Sequence, residues 1–256
     1  MSKDALYRSN QKHFDEEIGD IYAEARNSYA NRLYYDFWSA WMLSLVPIKP
    51  SMIALDCMGG SSEVARVLRP QVAQLHCVDI SQKLLGYPVQ DEVRPDVRVC
   101  ADVHHLPYAD ATFDLVFIRG GLHHVAQTFE LALSEIGRVM KPGAWLICAE
   151  PNDHNPLTRL ARQIVHRVSD KYEPQERGFS RDELSRGLRT SGFVDEAFFN
   201  FGHLGYTLIG NTDVLPVFRN LRNRWLINSL ILFDRLSTRV PLWKRLSLAL
   251  VFRARK

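Results

Sequence analysis

Two acidic residues, Asp56 and Asp79, each close a short apolar run, and a glycine pair, Gly59 and Gly60, follows the first of them. The runs read Met52-Ile-Ala-Leu-Asp-Cys-Met-Gly-Gly-Ser-Ser and His76-Cys-Val-Asp-Ile-Ser. About four apolar residues followed by a glycine turn predict a buried parallel strand feeding a helix, and ligands bind outside the carboxyl ends of such strands. An acid at the tip of the second strand, roughly 20 residues beyond the glycines, is placed to accept hydrogen bonds from ribose hydroxyls. A pyrophosphate would need G-x-G-x-x-G, with bare backbone against it at a helix N-terminus. Here Asp56 stands just before the turn, where its charge repels a pyrophosphate and suits a ligand carrying an ammonium group.

The motifs that follow keep a fixed order. Val78-Asp79-Ile80-Ser81 is succeeded by Ala101-Asp102-Val103-His104-His105-Leu106-Pro107-Tyr108, then Phe113-Asp114-Leu115-Val116-Phe117, Leu122-His123-His124-Val125 and, after the helical run from Leu133, Lys141-Pro142-Gly143. Over roughly residues 50–200 this series resembles the class I S-adenosylmethionine-dependent methyltransferases, in particular the small-molecule, type 11-like group whose first motif runs L-D-x-G-x-G-x-G. The resemblance implies a doubly wound, Rossmann-like α/β fold with a seven-stranded, mostly parallel sheet and an antiparallel last strand. It also implies S-adenosyl-L-methionine as cofactor, lined by Asp56, Met58, Gly59, Gly60, Asp79, Ile80, Asp102, Val103 and Arg119, with Asp102 approaching the adenine amino group.

Aligned on Asp56, Met58 stands at the first family glycine and Ser62 at the third, so only Gly60 remains of the three. Glycine serves there for positive backbone dihedrals or close ligand approach, and a side chain would crowd the methionine part of the cofactor. Gly59 offers a way to shift the turn by one residue.

A chain of 256 residues with 46% apolar content suffices for one α/β domain with elaborations. The expected divisions are a helical, aromatic-rich lid over 1–46, a cofactor-binding core over 50–204, a helical insertion over 205–246 and the last strand over 247–256. Strands are predicted near 52–55, 75–79, 97–101, 114–118, 144–149, 197–201 and 248–252, and Ser180-Arg181-Asp182-Glu183 predicts a capping box opening a helix that stops at Ser191-Gly192. Cys57, Cys77, Cys100 and Cys148 lie in or beside strands without C-x-x-C pairing, which predicts buried reduced thiols. No signal peptide is read at the start and no apolar run nears the roughly 20 residues of a membrane span, so the cytoplasm is the expected location.

The net charge of +3 is unevenly spread. From Arg219 onward ten basic residues face one acid, Asp234, so the tail is near +9 and the remainder near −6. The tail also carries Trp225, Leu226, Ile227, Leu230, Ile231, Leu232, Phe233 and Trp243 in a helical rhythm broken at Pro241. Such a segment suits a peripheral membrane contact through 219–246, a cover over an apolar acceptor, or a helix pair packed on the core. Nucleic acid is not expected, since the basic residues do not form an exposed stripe interleaved with stacking aromatics.

Methyl transfer is an in-line displacement at an already activated carbon, so the protein must chiefly align the groups and exclude water. A hydroxyl acceptor must also lose a proton, for which neutral imidazole is suited. His123 and His124, past the fourth strand, and His154, past the fifth, are the candidate catalytic bases. Adjacent side chains diverge, so one of the pair at most is expected to serve. Glu150, Asp153 and nearby histidines lack the ligand spacing of a metal cage, and no metal is expected. Arg119 would hold an anionic group or pair with a nearby acid. Three functions stay open: O-methylation of a small molecule or saccharide, lipid-linked or free; N- or C-methylation, as in relatives resembling quinone-pathway enzymes; and a repurposed fold without catalysis.

Overall fold

The computed structural model describes residues 15–16, 19–87, 93–155, 177–212, 215–244 and 246–256. Seven strands form one sheet: β1 (Ile53–Cys57), β2 (Gln74–Asp79), β3 (Val97–Cys100), β4 (Phe113–Arg119), β5 (Met140–Pro151), β6 (Val194–Phe201) and β7 (Ala249–Arg255), in the order β3-β2-β1-β4-β5-β7-β6. β1 to β5 pair in parallel, while β7 runs antiparallel between β5 and β6. The order reverses between β1 and β4, and in sheets of this kind the ligand crevice lies at such a switch point, beyond the strand ends.

Burial on both faces explains why the central strands read as continuous apolar runs. Val116, Ile118, Leu146, Cys148, Leu250 and Phe252 face one core, and Leu115, Phe117, Ile147, Ala149 and Val251 face the other. The helices over the described residues are α1 (Gly19–Arg26), α2 (Tyr29–Leu43), α3 (Ala65–Leu68), α4 (Gln82–Gly86), α5 (Phe129–Val139), α6 (Arg181–Thr190), α7 (Arg224–Ser237) and α8 (Pro241–Lys244). α5 and α6 cover the first face; α2, α3 and α7 cover the second.

The aromatic stripe expected as a lid is therefore core. Trp38 stacks on Phe201 at 5.1 Å and 3°, Trp41 on the same ring at 4.7 Å, and Tyr34 is fully buried. The Tyr34 hydroxyl donates to Asp234 of α7 at 2.6 Å, and the N–H groups of Gly205 and Tyr206 donate to the same carboxylate. This one buried acid ties the insertion to the N-terminal helices.

Several boundaries differ from those predicted. The helical segment expected over 1–46 is broken at Ser28, whose ψ of 145° is extended; residues 1–14, 17 and 18 lie outside the described residues. α5 ends at Val139 because the residue before Pro142 is kept out of the helical region, and β5 starts at Met140 instead of 144. The capping box closes halfway: Ser180 Oγ accepts from the Glu183 N–H, but the Glu183 carboxylate pairs with Arg177. Pro241 opens α8, where its missing N–H costs nothing, and Arg245 lies outside the described residues. Among the described residues no helix is long and apolar enough to cross a membrane.

Candidate functional site

The loop after β1 keeps a glycine-like backbone without the glycines. Met58, Gly60 and Ser62 all have positive φ, at 58°, 55° and 58°, whereas Gly59 does not, so the turn keeps its register on Asp56 instead of shifting by one residue. Each non-glycine there carries about 1–2 kcal/mol of strain. Both side chains have found partners. Met58 lies against bare Gly121, where an added Cβ would come within 2.8 Å of Met58 Cβ and 2.9 Å of its sulfur. Ser62 Oγ donates to Asp56 Oδ2 at 2.6 Å. Gly59 is required for space, since a Cβ would stand 2.4 Å from Asp56 Oδ2.

Asp56 and Asp79 line this loop from beneath. Asp79 accepts the Gly60 N–H at 2.7 Å on one oxygen and the Ser81 N–H at 2.9 Å on the other, leaving lone pairs on both. Burial pushes the Asp56 carboxyl up to about 7, against the Ser62 hydrogen bond and the Arg119 charge, and burial also raises Asp79 despite its two N–H donors. Ile80 packs near Ala23, Leu84 and Tyr87. Asp15 accepts from Ser81 Oγ at 2.5 Å.

Past β3, Asp102 Oδ1 accepts from the backbone N–H of His104 at 3.0 Å and pairs with its Nδ1 at 2.7 Å, while His104 Nε2 lies 2.9 Å from Thr128 Oγ1. Burial opposes the Asp102 charge, yet the His104 bonds hold its pKa below the ordinary value. Val103 turns into the first core.

Arg119, expected to hold an anionic group or to pair with a nearby acid, has an acid beside it. It donates to Glu63 Oε2 and Ser39 Oγ, both at 2.6 Å, and lies 4.0 Å over the Tyr35 ring; Arg26 lies 4.3 Å from the same ring. Burial disfavours the Glu63 carboxylate, but Arg26 and Arg119 hold it ionised. Arg119 Nε is buried and makes no hydrogen bond among the described residues.

At the tip of β5 the wholly buried Glu150 organises the turn after β4. Its Oε1 accepts the Gly121 and Leu122 N–H groups at 3.0 and 2.8 Å, and its Oε2 accepts the His123 N–H at 3.2 Å and lies 2.8 Å from His123 Nδ1. Burial works against its charge, and the His123 bond and these peptide donors outweigh it, so its pKa is lowered. An ionised carboxylate only accepts, so Nδ1 carries the proton and Nε2 is the basic nitrogen. The His123 and His124 rings do not diverge as expected but lie 4.0 Å apart, and the His124 charge favours ionised Asp79. His154 is exposed, with its backbone N–H on Asn152 Oδ1, and no bond joins its ring to this cluster. Among the described residues no three His, Cys, Asp or Glu side chains converge as a metal-holding group.

Sequence reasoning weighed Glu150 only for a metal cage, treated Ser62 only as a departure from the glycine pattern, and missed the roles of Glu63 and Tyr35. Glu150 carries the same sign as Asp56 and Asp79, an acid closing an apolar strand. Glu63 and Tyr35 carry no such sign, since their partners come from distant segments.

The methyltransferase domain family matches residues 55–148. The chain is 31% identical over 162 residues to the ubiquinone/menaquinone biosynthesis C-methyltransferase UbiE of Brucella anthropi, covering 60% of this chain and 58% of that protein's length. The phosphoethanolamine N-methyltransferase 2 of Haemonchus contortus, solved with S-adenosyl-L-methionine, superposes with a TM-score of 0.63 at 18% identity, covering 96% of this chain and 59% of that one. A methyltransferase of Archaeoglobus fulgidus superposes at 0.58 and 16% identity, covering 86% of this chain and 93% of that one. These superpositions bear on the fold alone.

Proposed function

The chain carries a class I S-adenosylmethionine-dependent methyltransferase domain, and from that premise we propose that it methylates a small molecule bearing an ionisable hydroxyl, with His123 as the base. The Glu150–His123 pair, 2.8 Å apart at the crevice, is the observation that carries this reading. The residues present fit the cofactor. Two buried, under-neutralised carboxylates match an ammonium and a ribose, and the positive-φ loop bares its backbone between them. Bound there, S-adenosyl-L-methionine supplies a methyl group made electrophilic by its sulfonium.

In this reading Asp56 faces the ammonium, Asp79 the ribose hydroxyls and Asp102 the adenine side. Buried Arg119 keeps Glu63, and through it the loop, in place, and its Nε is the donor left for the methionine carboxylate. His123 takes the acceptor's hydroxyl proton on Nε2 as the oxygen–methyl bond forms and the sulfur–methyl bond breaks to leave a neutral thioether, and ionised Glu150 stabilises the imidazolium. His124, whose charge acts on Asp79, shapes the crevice in this reading. The segments 1–46 and 205–246 belong to the same domain as the core in this reading.

The name of the Brucella relative favours a second reading, C-methylation. There the same proton transfer leaves a phenolate whose ring carbon accepts the methyl and then loses its own proton as the ring regains aromaticity. Incubation with methyl-labelled cofactor and a panel of phenols, quinols and saccharides, with the methylated atom located by NMR, separates the two. Failure of folded protein to bind S-adenosylmethionine or S-adenosylhomocysteine in calorimetry overturns both.

A further inference from the structure

At the β6 edge of the sheet, four strand steps from Asp56 and so ~19 Å away at about 4.8 Å per step, lies a cavity of ≈ 500 Å³. Arg181, Arg235, Arg239 and Lys244 line it, with Trp41 and Phe198 as apolar wall and no acidic residue. Among the described residues none of these four cations forms an ion pair. Elsewhere Arg66, Arg119, Arg138 and Arg189 each meet a carboxylate within 2.8 Å. Four unpaired cations around one concavity repel one another, and an anion relieves that repulsion.

Two of the four, Arg235 and Arg239, lie on or just past α7, whose outer face is apolar. Trp225 is 86% exposed, and Leu232 and Leu236, also exposed, follow at seven and eleven residues, within about 40° of it around the helix. Ile227, Asp234 and Ser237 occupy the inward side. Exposed Trp243 of α8 continues the apolar surface. A free phosphate or a nucleic acid would leave this stripe in water. A bilayer takes both: tryptophan and leucine at the headgroup boundary, cations against lipid phosphates.

We propose that the β6-edge cavity binds the phosphate of an anionic bilayer lipid while the outer stripe of α7 enters the membrane surface. This site is separate from the methyl-transfer crevice and does not depend on it.

Sedimentation with vesicles of phosphatidylcholine alone, and of equimolar phosphatidylcholine and phosphatidylglycerol, tests the proposal on the full chain. Binding to the anionic vesicles only is expected. The double variant R235A/R239A should weaken it roughly twenty- to thirtyfold, at about fivefold per cation, and W225S/L232S should abolish it. Both pairs are exposed, so circular dichroism should be unchanged. No binding of wild-type protein to anionic vesicles, or full binding by folded R235A/R239A, overturns the proposal. So does a stable dimer by light scattering that W225S/L232S splits in the absence of vesicle binding, because a second copy would then own the stripe. Calorimetric binding of inorganic phosphate without vesicle binding overturns it in favour of a free anion.

Discussion

Three carboxylates are buried at the carboxyl edge of the sheet, and they behave oppositely. Asp56 and Asp79, at the tips of β1 and β2, are pushed up by burial; Glu150, at the tip of β5, is buried at least as deeply and held down. The difference lies in the partners. Glu150 meets a histidine ring and three peptide N–H groups, whereas Asp56 has one serine hydroxyl and Asp79 two N–H donors. Burial is thus common to both regions, and local compensation sets the charge. One region is complete by itself and orients a base; in the other, among the described residues, no cation is bonded to either carboxylate, which is the form a receptor for a cationic ligand takes.

The largest effect that would sharpen this contrast is at Glu150. Glu150→Ala should destabilise the protein by about 3–5 kcal/mol in urea unfolding, because it strands buried donors; a loss below 1 kcal/mol would break the view that this end is self-contained. His123→Ala should lower turnover roughly 10²–10⁴-fold with cofactor affinity unchanged, and His124→Ala should cost far less. Equal effects would dissolve the distinction between the two rings. Asp79→Ala should weaken S-adenosylmethionine binding by about 2 kcal/mol in calorimetry and leave folding intact.

Asp56 adds a pH test. Its protonated form cannot pair with an ammonium, so cofactor affinity should fall as pH drops below about 7, approaching tenfold per pH unit. The free protein should show the opposite sign. A carboxyl raised from 3.8 to about 7 contributes stability below the lower value that is lost as pH rises through the upper one. Affinity independent of pH between 5.5 and 7.5 would place the ammonium elsewhere. The smallest effect is expected at the strained loop, where Met58→Gly should relieve backbone strain worth about 1 kcal/mol, less the packing lost on Gly121; a shift in the thermal midpoint would report the balance.

The strands were legible because buried parallel strands announce themselves as unbroken apolar runs, and the acids closing them mark the crevice; the antiparallel last strand came from the family resemblance. The insertion's amphipathic rhythm was legible too, including the new start at Pro241. Other features were hidden. The aromatic helix read as a lid is core because its partners, Phe199, Phe201 and Tyr206, lie more than 150 residues away in the chain. Arg119 could be read either as a ligand contact or as half of an ion pair, because Glu63 and Ser39 reach it only across the fold.

By itself the sequence determined the sheet, the crevice and the placing of Asp56 and Asp79 at its edge, because strand periodicity and turn chemistry act over a few neighbouring residues. Only the tertiary structure decided which charges are compensated: that Glu150 holds His123, that Met58 rests on Gly121, and that four cations at the β6 edge stand unpaired among the described residues. Those outcomes depend on distances between side chains brought together from remote segments, and Coulombic and hydrogen-bond energies change steeply over a few ångströms.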